Sequence, residues 1–441
     1  MAVLSSEVLH DGVRRREVFA WAMYDFANSG YTTVVLTAVF AAYFVGVVAG
    51  GAPWATFAWT SALSLSHAIV MLTMPAIGAW ADQHAAKKRL LWLSTAGCVV
   101  ATAALALIGP GAVVLAMVLI VLSNVCFAWG ESLIAAFLPE LAKPRAMGRV
   151  SGWGWSLGYV GGMLALGLCL GYVLWAQAQG QVASQFVPVT MLITAVVFAV
   201  AASVTLGMLK ERAKPQPGAL ARSGLGASLR QLKTTFREAG DYVDFMWLLG
   251  CAVAYQGGVA VAIALAAIYA EQVIGFVQQE TMVLIFVLNI AAMVGAFLFG
   301  YAQDRMGHKL TLGITLVGWM VTCVMAALTT TKGGFWYAAA LAGFCMGSSQ
   351  SSGRAMAGLF APPQRSAEFF GLWAFATRLA SIIGPLSYGA ITWATDGNQR
   401  LAIGATAGLF LVGLLLLLPV NMKRGQAKSQ AMGDLASLVP A

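Results

Sequence analysis

Apolar residues in this chain fall in long unbroken stretches bounded by charge or by Gly and Pro turns, near 19–48, 55–79, 90–109, 112–137, 150–174, 186–209, 246–269, 280–300, 310–329, 334–359, 369–392 and 401–420. A helix rises about 1.5 Å per residue, so about twenty apolar residues cross roughly 30 Å of hydrocarbon. The pattern predicts an all-α polytopic membrane protein with twelve transmembrane helices. Membrane β-barrels show short alternating segments instead, and none occur here. The spans divide the chain into an N-terminal segment (1–18), a six-helix bundle (19–209), a polar linker (210–245), a second six-helix bundle (246–420) and a tail (421–441). In the linker, Leu229, Leu232 and Phe236 share one helical face and Arg230, Lys233 and Arg237 face elsewhere. That suits either a helix lying on an anionic leaflet or an ordinary solvated linker helix.

Composition agrees with the pattern. The 441 residues are 60% hydrophobic and 10% charged, against roughly 45–50% and 25% in soluble domains, which excludes a water-soluble globule. The net charge of +9 does not gather with aromatics on one polar surface, so a nucleic-acid partner is not indicated. Of the 26 Lys and Arg, only Lys332 and Arg400 lie in the loops opposite the termini, and only Arg354 and Arg378 lie inside spans. The positive-inside bias then puts both termini in the cytoplasm, with the bacterial inner membrane as the expected location and its lipids as partners. Arg14, Arg15 and Arg16 precede the first span without a cleavage site, so that span is expected to be retained. Cys98, Cys126, Cys169, Cys251, Cys323 and Cys345 all sit in apolar runs without paired spacing, which suggests neither disulfides nor a metal site.

The two halves repeat. Gly78-Ala-Trp-Ala-Asp82, followed by Lys87, recurs as Gly300-Tyr-Ala-Gln-Asp304, followed by Lys309. After a one-residue slip, Gly130, Pro139, Gly148 and Gly161 recur as Gly353, Pro362, Gly371 and Gly384. Two like-oriented bundles follow, and parallel repeats of this kind place a solute site near the midplane between them.

The duplicated loop, best preserved at Gly300 to Asp304, Arg305, Gly307 and Lys309, resembles the inter-helix signature of the major facilitator superfamily. In its first copy Gln83 and Ala85 replace the usual Arg and Gly. Three further segments resemble the vacuole-effluxer branch, the autophagy-related amino-acid exporters, and its bacterial relatives. They are Trp21-Ala-Met-Tyr24-Asp25-Phe26-Ala27-Asn28, then Gly148-Arg149-Val150-Ser151-Gly152 leading to Gly161-Gly162, and Glu368-Phe369-Phe370-Gly371 leading to Gly384-Pro385. Gln256-Gly257-Gly258 lacks the acidic residue frequent there in that branch. The resemblance implies a twelve-helix major facilitator fold, a central cavity lined by spans one, four, seven and ten, and solute export. It also implies that Asp82 and Asp304, with Lys87, Arg305 and Lys309, latch the cytoplasmic side by meeting neighbouring helix ends. A carboxylate at the positive end of a helix dipole gains about 0.3–1 kcal/mol; alternatively these acids only shape tight loops.

Ionisable groups inside spans cost roughly 2.5–3.5 kcal/mol each on insertion scales, so each is a functional candidate. Asp25 lies about 10 Å inside its boundary, Arg354 about 12 Å, and Glu131 and Arg378 about 15 Å. Asp25 shares a helical stripe with Tyr24, Asn28, Tyr31 and Thr32, which should face water or solute unless Asp25 merely pairs with a basic residue. Glu131, with Asn124 on its face, occupies the repeat position of Arg354, which has Gln350 one turn earlier. The two opposite charges can pair across the cavity, hold the ammonium and carboxylate of a zwitterion, or form a static ion pair. Burial of Glu131 against a nearby arginine also makes the proton a candidate partner. Arg378 is read as supporting the cavity, by orienting Glu131 or Glu368, or as touching solute. Tyr255, Gln256 and Asn289 are weaker candidates, for interhelical hydrogen bonds. Gly154, Gly158 and Gly162 form a four-spaced packing row on span five, continued by Gly167 and Gly171.

Catalytic signatures are missing: there is no phosphate loop, zinc helix or nucleophile elbow, and the four histidines are scattered. Neither an enzyme nor a bound cofactor or metal is expected. The leading reading is a secondary carrier of small polar solutes, amino acids or similar zwitterions, working by alternating access. The alternatives are proton-driven efflux of amphipathic drugs or lipids, and a non-transporting receptor or scaffold.

Overall fold

The computed structural model describes residues 8–215, Arg237 and residues 242–437. The proposed surface face of Leu229, Leu232 and Phe236 lies outside the described residues. The first half forms α1 (Arg15–Tyr31), α2 (Ala55–His84), α3 (Lys87–Ala104), α4 (Val113–Ala135), α5 (Met147–Ala178) and α6 (Ala183–Met208). The second forms α7 (Val243–Tyr269), α8 (Gln278–Met306), α9 (His308–Leu328), α10 (Lys332–Phe360), α11 (Ser366–Ala394) and α12 (Gln399–Leu417), followed by α13 (Met422–Ser437). Past Tyr31, the first span continues to Val48 through wide π-type turns over Thr32–Ala38 and Phe44–Val48.

Among the described residues, eleven helices are long and apolar enough to cross a membrane. α10 is the exception. It has the length, at 29 residues, but its Gly347 to Arg354 run of Gly, Ser, Gln and Arg is too polar. The structure shows why this is tolerated: Ser348, Ser349, Ser351, Ser352 and Arg354 are all buried against protein, where polar side chains find partners instead of lipid.

Repetition in sequence becomes repetition in packing. Within the first bundle α1 lies against α5 and α6, α4 against α2 and α3, and α3 against α6; in the second, α7 lies against α11 and α12, α10 against α8 and α9, and α9 against α12. The bundles meet chiefly through α2 on α11 and α5 on α8. Both described chain ends lie on the side of the α2–α3 and α8–α9 loops, hereafter the terminal side. There a bridge joins Leu9 to Ala142, and Arg424 grips Asp244 with two hydrogen bonds of 2.8 Å. The repeat is not perfect in its turns. Gly307 ends α8 at φ 95°, whereas its equivalent Ala85 ends α2 in the left-handed region at φ 48°, a conformation that costs a residue with a Cβ roughly 1–2 kcal/mol.

Close approach of α1 and α5 depends on missing side chains. A Cβ at Gly154 would meet Asp25, Arg354 and Trp21, one at Gly158 would meet Ser29, and one at Gly162 would meet Thr33. The tightest point is Gly161, where a Cβ would stand 2.2 Å from the Phe26 carbonyl oxygen. Gly167 and Gly171 instead face open space. Gly161→Val should therefore force α1 and α5 apart and lower the thermal unfolding midpoint, at an overpacking cost of about 1–3 kcal/mol. Gly167→Val should leave the midpoint of the detergent-solubilised protein unchanged.

Candidate functional site

On the terminal side, loop acids and helix starts join the bundles. The N-terminus of α11 presents the Glu368 amide, which donates to Asp82 Oδ2 at 2.9 Å. In the repeat, the N-terminus of α5 presents the Gly148 and Arg149 amides, which donate to Asp304 at 3.0 and 3.3 Å. The Arg149 side chain adds a third bond at 2.6 Å. Both carboxylates thus meet the positive ends of helices in the opposite bundle.

The basic residues of the two copies behave differently. Lys87 is fully buried and crosses between bundles: its ammonium donates to Ser366 Oγ at 3.0 Å and to Glu140, and lies 3.9 Å from Asp82. Lys309 stays within its own bundle, donating to the Leu418 and Val420 carbonyls at 2.7 and 2.8 Å. Arg305 is exposed. The symmetric latch expected of both lysines is therefore corrected to one inter-bundle lysine, because α3 begins beside Glu140 and α9 begins beside the carbonyl end of α12.

Deeper in the interface stands Arg354. Carried by α10, it is held wholly by the other bundle. Nη1 donates to Asp25 Oδ2 at 2.6 Å, Nε to Ser151 Oγ at 3.1 Å and Nη2 to the Ser151 carbonyl at 2.7 Å. Its guanidinium carbon lies 4.7 Å from the Trp21 ring centroid and 5.2 Å from that of Trp155, within cation–π range. Asp25 is 8% exposed and Arg354 6%, so this pair is enclosed between the bundles and does not line an open hollow. A hydrogen-bonded chain links it to the terminal side: Ser151 Oγ donates to the Ser351 carbonyl at 2.9 Å, Gln303 Nε2 to Ser351 Oγ at 3.1 Å, and His308 lies 3.1 Å from Gln303 Oε1.

Glu131 does not pair with Arg354. Its partner is Arg378 of α11, whose Nη2 donates to Glu131 Oε2 at 2.5 Å. The Glu131 side chain is 39% exposed, in contrast to the enclosed pair beneath. Arg378 Nε is buried with no hydrogen-bond partner among the described residues, as is Nδ1 of His67 on α2, whose ring feels the Arg378 charge. The expected Glu131–Arg354 pair is corrected for a geometric reason. Repeat-equivalent residues approach the axis from opposite sides, and each meets the helix diagonal to it: α4 meets α11, and α10 meets α5. The register that maps Glu131 onto Arg354 also maps Trp155 onto Arg378, so Glu131–Arg378 and Arg354–Trp155 are two copies of one contact. That register was available in the sequence and relates the two contacts to each other once either is seen. Ser151, Arg149, Glu140, Ser366 and His67 carried no comparable signal.

The stripe on α1 also divides. Tyr24 and Tyr31 turn into their own bundle, 2.8 Å from Thr95 and Ser123 hydroxyls, so Tyr31 is a packing residue and not one that faces solute. Asn28 is buried, and neither end of its amide has a partner among the described residues. Asn124 donates to Ser66 at 2.6 Å and Gln350 accepts from Gln256 at 2.8 Å, both within one bundle. Asn289 bonds back to its own helix at Ile285.

A model of the family described as vacuole effluxer Atg22-like matches residues 45–430. The chain belongs to this family. The Atg22-like chain is similar along its length to an uncharacterized MFS-type transporter, YxiO of Bacillus subtilis (strain 168), at 27% identity over 429 residues, covering 94% of this chain and 97% of the relative. In fold it is similar to the human organic anion transporter MFSD10, with a TM-score of 0.69 at 16% identity, covering 91% of this chain and 99% of the other. It is also similar to FucP in the outward conformation, with a TM-score of 0.68 at 14% identity and coverage of 91% and 99%. This member of the Atg22-like branch is a major facilitator transporter and not an enzyme.

The buried lysine gives a direct test of the latch. Lys87→Met removes the ammonium that meets both Asp82 and Glu140 and should destabilise the protein by about 3–5 kcal/mol, as removal of one partner of a buried ion pair does. Lys309→Met should cost far less, about 1 kcal/mol, because only carbonyl bonds near a helix end are lost. Unfolding midpoints of the two variants in detergent measure the difference.

Proposed function

We propose that this transporter carries small zwitterions, most simply amino acids, by alternating access, with Glu131 and Arg378 as the charged contacts of the solute. The observation that carries this reading is a paired carboxylate and guanidinium from opposite bundles, with the carboxylate 39% exposed and the guanidinium keeping an unpartnered Nε. A solute with an ammonium and a carboxylate replaces each partner with one of its own kind: its ammonium satisfies Glu131, and its carboxylate satisfies Arg378 beside His67. A solute with one charge leaves the other residue without its counter-charge, a penalty that falls mainly on Arg378, whose side chain is the less exposed of the two. Selectivity for zwitterions follows from that penalty.

On this reading the terminal side is the cytoplasm, as the concentration of Lys and Arg there favours. With both loop acids engaged on that side, the arrangement corresponds to an outward-facing state, the conformation given for FucP. The sixfold bundles then rock about the solute, releasing the latch and Arg354 when the cytoplasmic side opens. Net export is the direction that membership of a vacuole-effluxer family favours.

Counterflow into proteoliposomes loaded with unlabelled amino acids tests the site. Glu131→Gln and Arg378→Lys should each reduce uptake of a labelled neutral amino acid by at least about tenfold, equivalent to about 1.4 kcal/mol or more, with unfolding midpoints close to the parent. Undiminished uptake in both variants would remove these residues from the solute site. Uptake of organic anions or amphipathic dyes in place of amino acids would remove the zwitterion.

A further inference from the structure

We infer that the hollow between α7, α11 and the turn joining α11 to α12 binds an organic ammonium group, the head of a small amine or zwitterion or of an aminophospholipid. The site is separate from Glu131 and Arg378. It goes beyond the solute reading above and does not rest on it.

The position of charge along the chain comes first. α11 starts on the terminal side and ends at Ala394, so the turn that follows lies on the opposite side. The two basic residues of that side are both engaged. Lys332 donates to Glu280 at 2.6 Å, and Arg400 donates to the Ala327 and Thr329 carbonyls at 3.0 and 2.5 Å. Neither serves Asp396, which is exposed in the turn.

Asp396 borders a hollow of about 610 Å³, within the roughly 300–1,000 Å³ of small-molecule sites. Its walls include Leu265 of α7, Tyr388, Gly389 and Trp393 of α11, and Gln399 at the start of α12. Tyr388 is buried, and its hydroxyl donates to Gln399 Oε1 at 3.5 Å; Gln399 Nε2 in turn donates to Gln272 at 2.6 Å. Trp393 is instead 86% exposed. One ring is therefore fixed in the wall, and the other stands at the surface. Gly389 helps to keep the space open, since a Cβ there would meet no atom within 4 Å.

Three features of the hollow favour the same chemistry. The Asp396 carboxylate attracts a cation, and so do the faces of aromatic rings, indole most strongly. The C-terminal end of α11 adds the negative end of a helix dipole. An anion is repelled by all three, and a neutral apolar molecule gains from none of the charges. A hard metal ion needs several oxygen ligands, and no cluster of His, Cys, Asp and Glu able to hold one occurs among the described residues. An organic ammonium uses every feature at once, with its charge toward Asp396 and its carbon atoms against the rings. The backbone holds the acid there: Asp396 adopts φ 52° and Gly397 φ 88°, and the Gly397 amide donates to the Thr392 carbonyl at 2.8 Å.

The test uses the full chain with fluorotryptophan at its tryptophans, in nanodiscs of phosphatidylglycerol, a lipid without an ammonium group. The fluorine resonance that is lost in Trp393→Phe reports the site. Tetramethylammonium chloride should shift it saturably, beyond the effect of equal sodium chloride. Asp396→Asn should weaken that affinity by at least about tenfold, equivalent to about 1.4 kcal/mol; asparagine tolerates the left-handed turn, so the change removes charge and keeps the backbone. Gly389→Leu, which fills the hollow and suits a helix better than glycine, should abolish saturation. Glu271→Gln removes an exposed charge of the same side and should change nothing. A shift no larger than that of sodium chloride, a shift that survives in Asp396→Asn or Gly389→Leu, or an equal loss in Glu271→Gln overturns the site. Two further arms identify the source. Competition by glycine assigns the site to free zwitterions. A resonance already displaced in nanodiscs containing phosphatidylethanolamine, and then unresponsive to tetramethylammonium, assigns it to a lipid headgroup. Binding here is read without transport, so failure of the counterflow experiment leaves this site standing, and failure here leaves Glu131 and Arg378 untouched.

Discussion

A charge taken out of water must keep a partner, and in this molecule the partner is repeatedly on the other bundle. Arg354 belongs to α10 yet all its named contacts are to the first bundle, and Lys87 belongs to α3 yet reaches Ser366 at the start of α11. Such contacts add to the packing of α2 on α11 and α5 on α8, through which the two bundles chiefly meet. They also make that position reversible. Each is strong only while enclosed, and entry of water replaces it with hydration, so the interface favours a closed or an opened arrangement over intermediate ones.

The same constraint separates the interface into layers. Nearest the terminal side, Asp82 and Asp304 meet helix starts, where backbone amides supply the compensation. Below them the Asp25–Arg354 pair is enclosed by indole rings and a glycine. Glu131 with Arg378 repeats the Arg354–Trp155 contact, and its carboxylate stays partly exposed. Ser151, Ser351 and Gln303 connect the enclosed pair to the loop side through hydrogen bonds.

Duplication explains both the regularity and the division of roles. The two bundles repeat the same set of helix contacts, so the contact between span four and the diagonal helix appears twice. One copy became a carboxylate facing arginine, and the other an arginine facing tryptophan. Pseudo-symmetry places the residues, and substitution within it gives each copy a different chemistry. The lysines after the duplicated loop diverged similarly, one crossing between bundles and the other capping α12.

The sequence by itself determined the class and the repeat and located the long apolar helices. Lipid imposes a length and an apolarity on every crossing, and those two demands are written locally along the chain. Recognition of buried charges as functional candidates was likewise local, since each is costly wherever its helix packs. Only the tertiary structure decided who meets whom. Asp25 with Arg354, Glu131 with Arg378 and the confinement of Tyr31 to its own bundle depend on helix rotation and diagonal contact across an axis, and neither leaves a mark in hydropathy. Even the polar character of α10 is intelligible only after folding, because burial against protein supplies Ser348, Ser349, Ser351 and Arg354 with partners that lipid cannot.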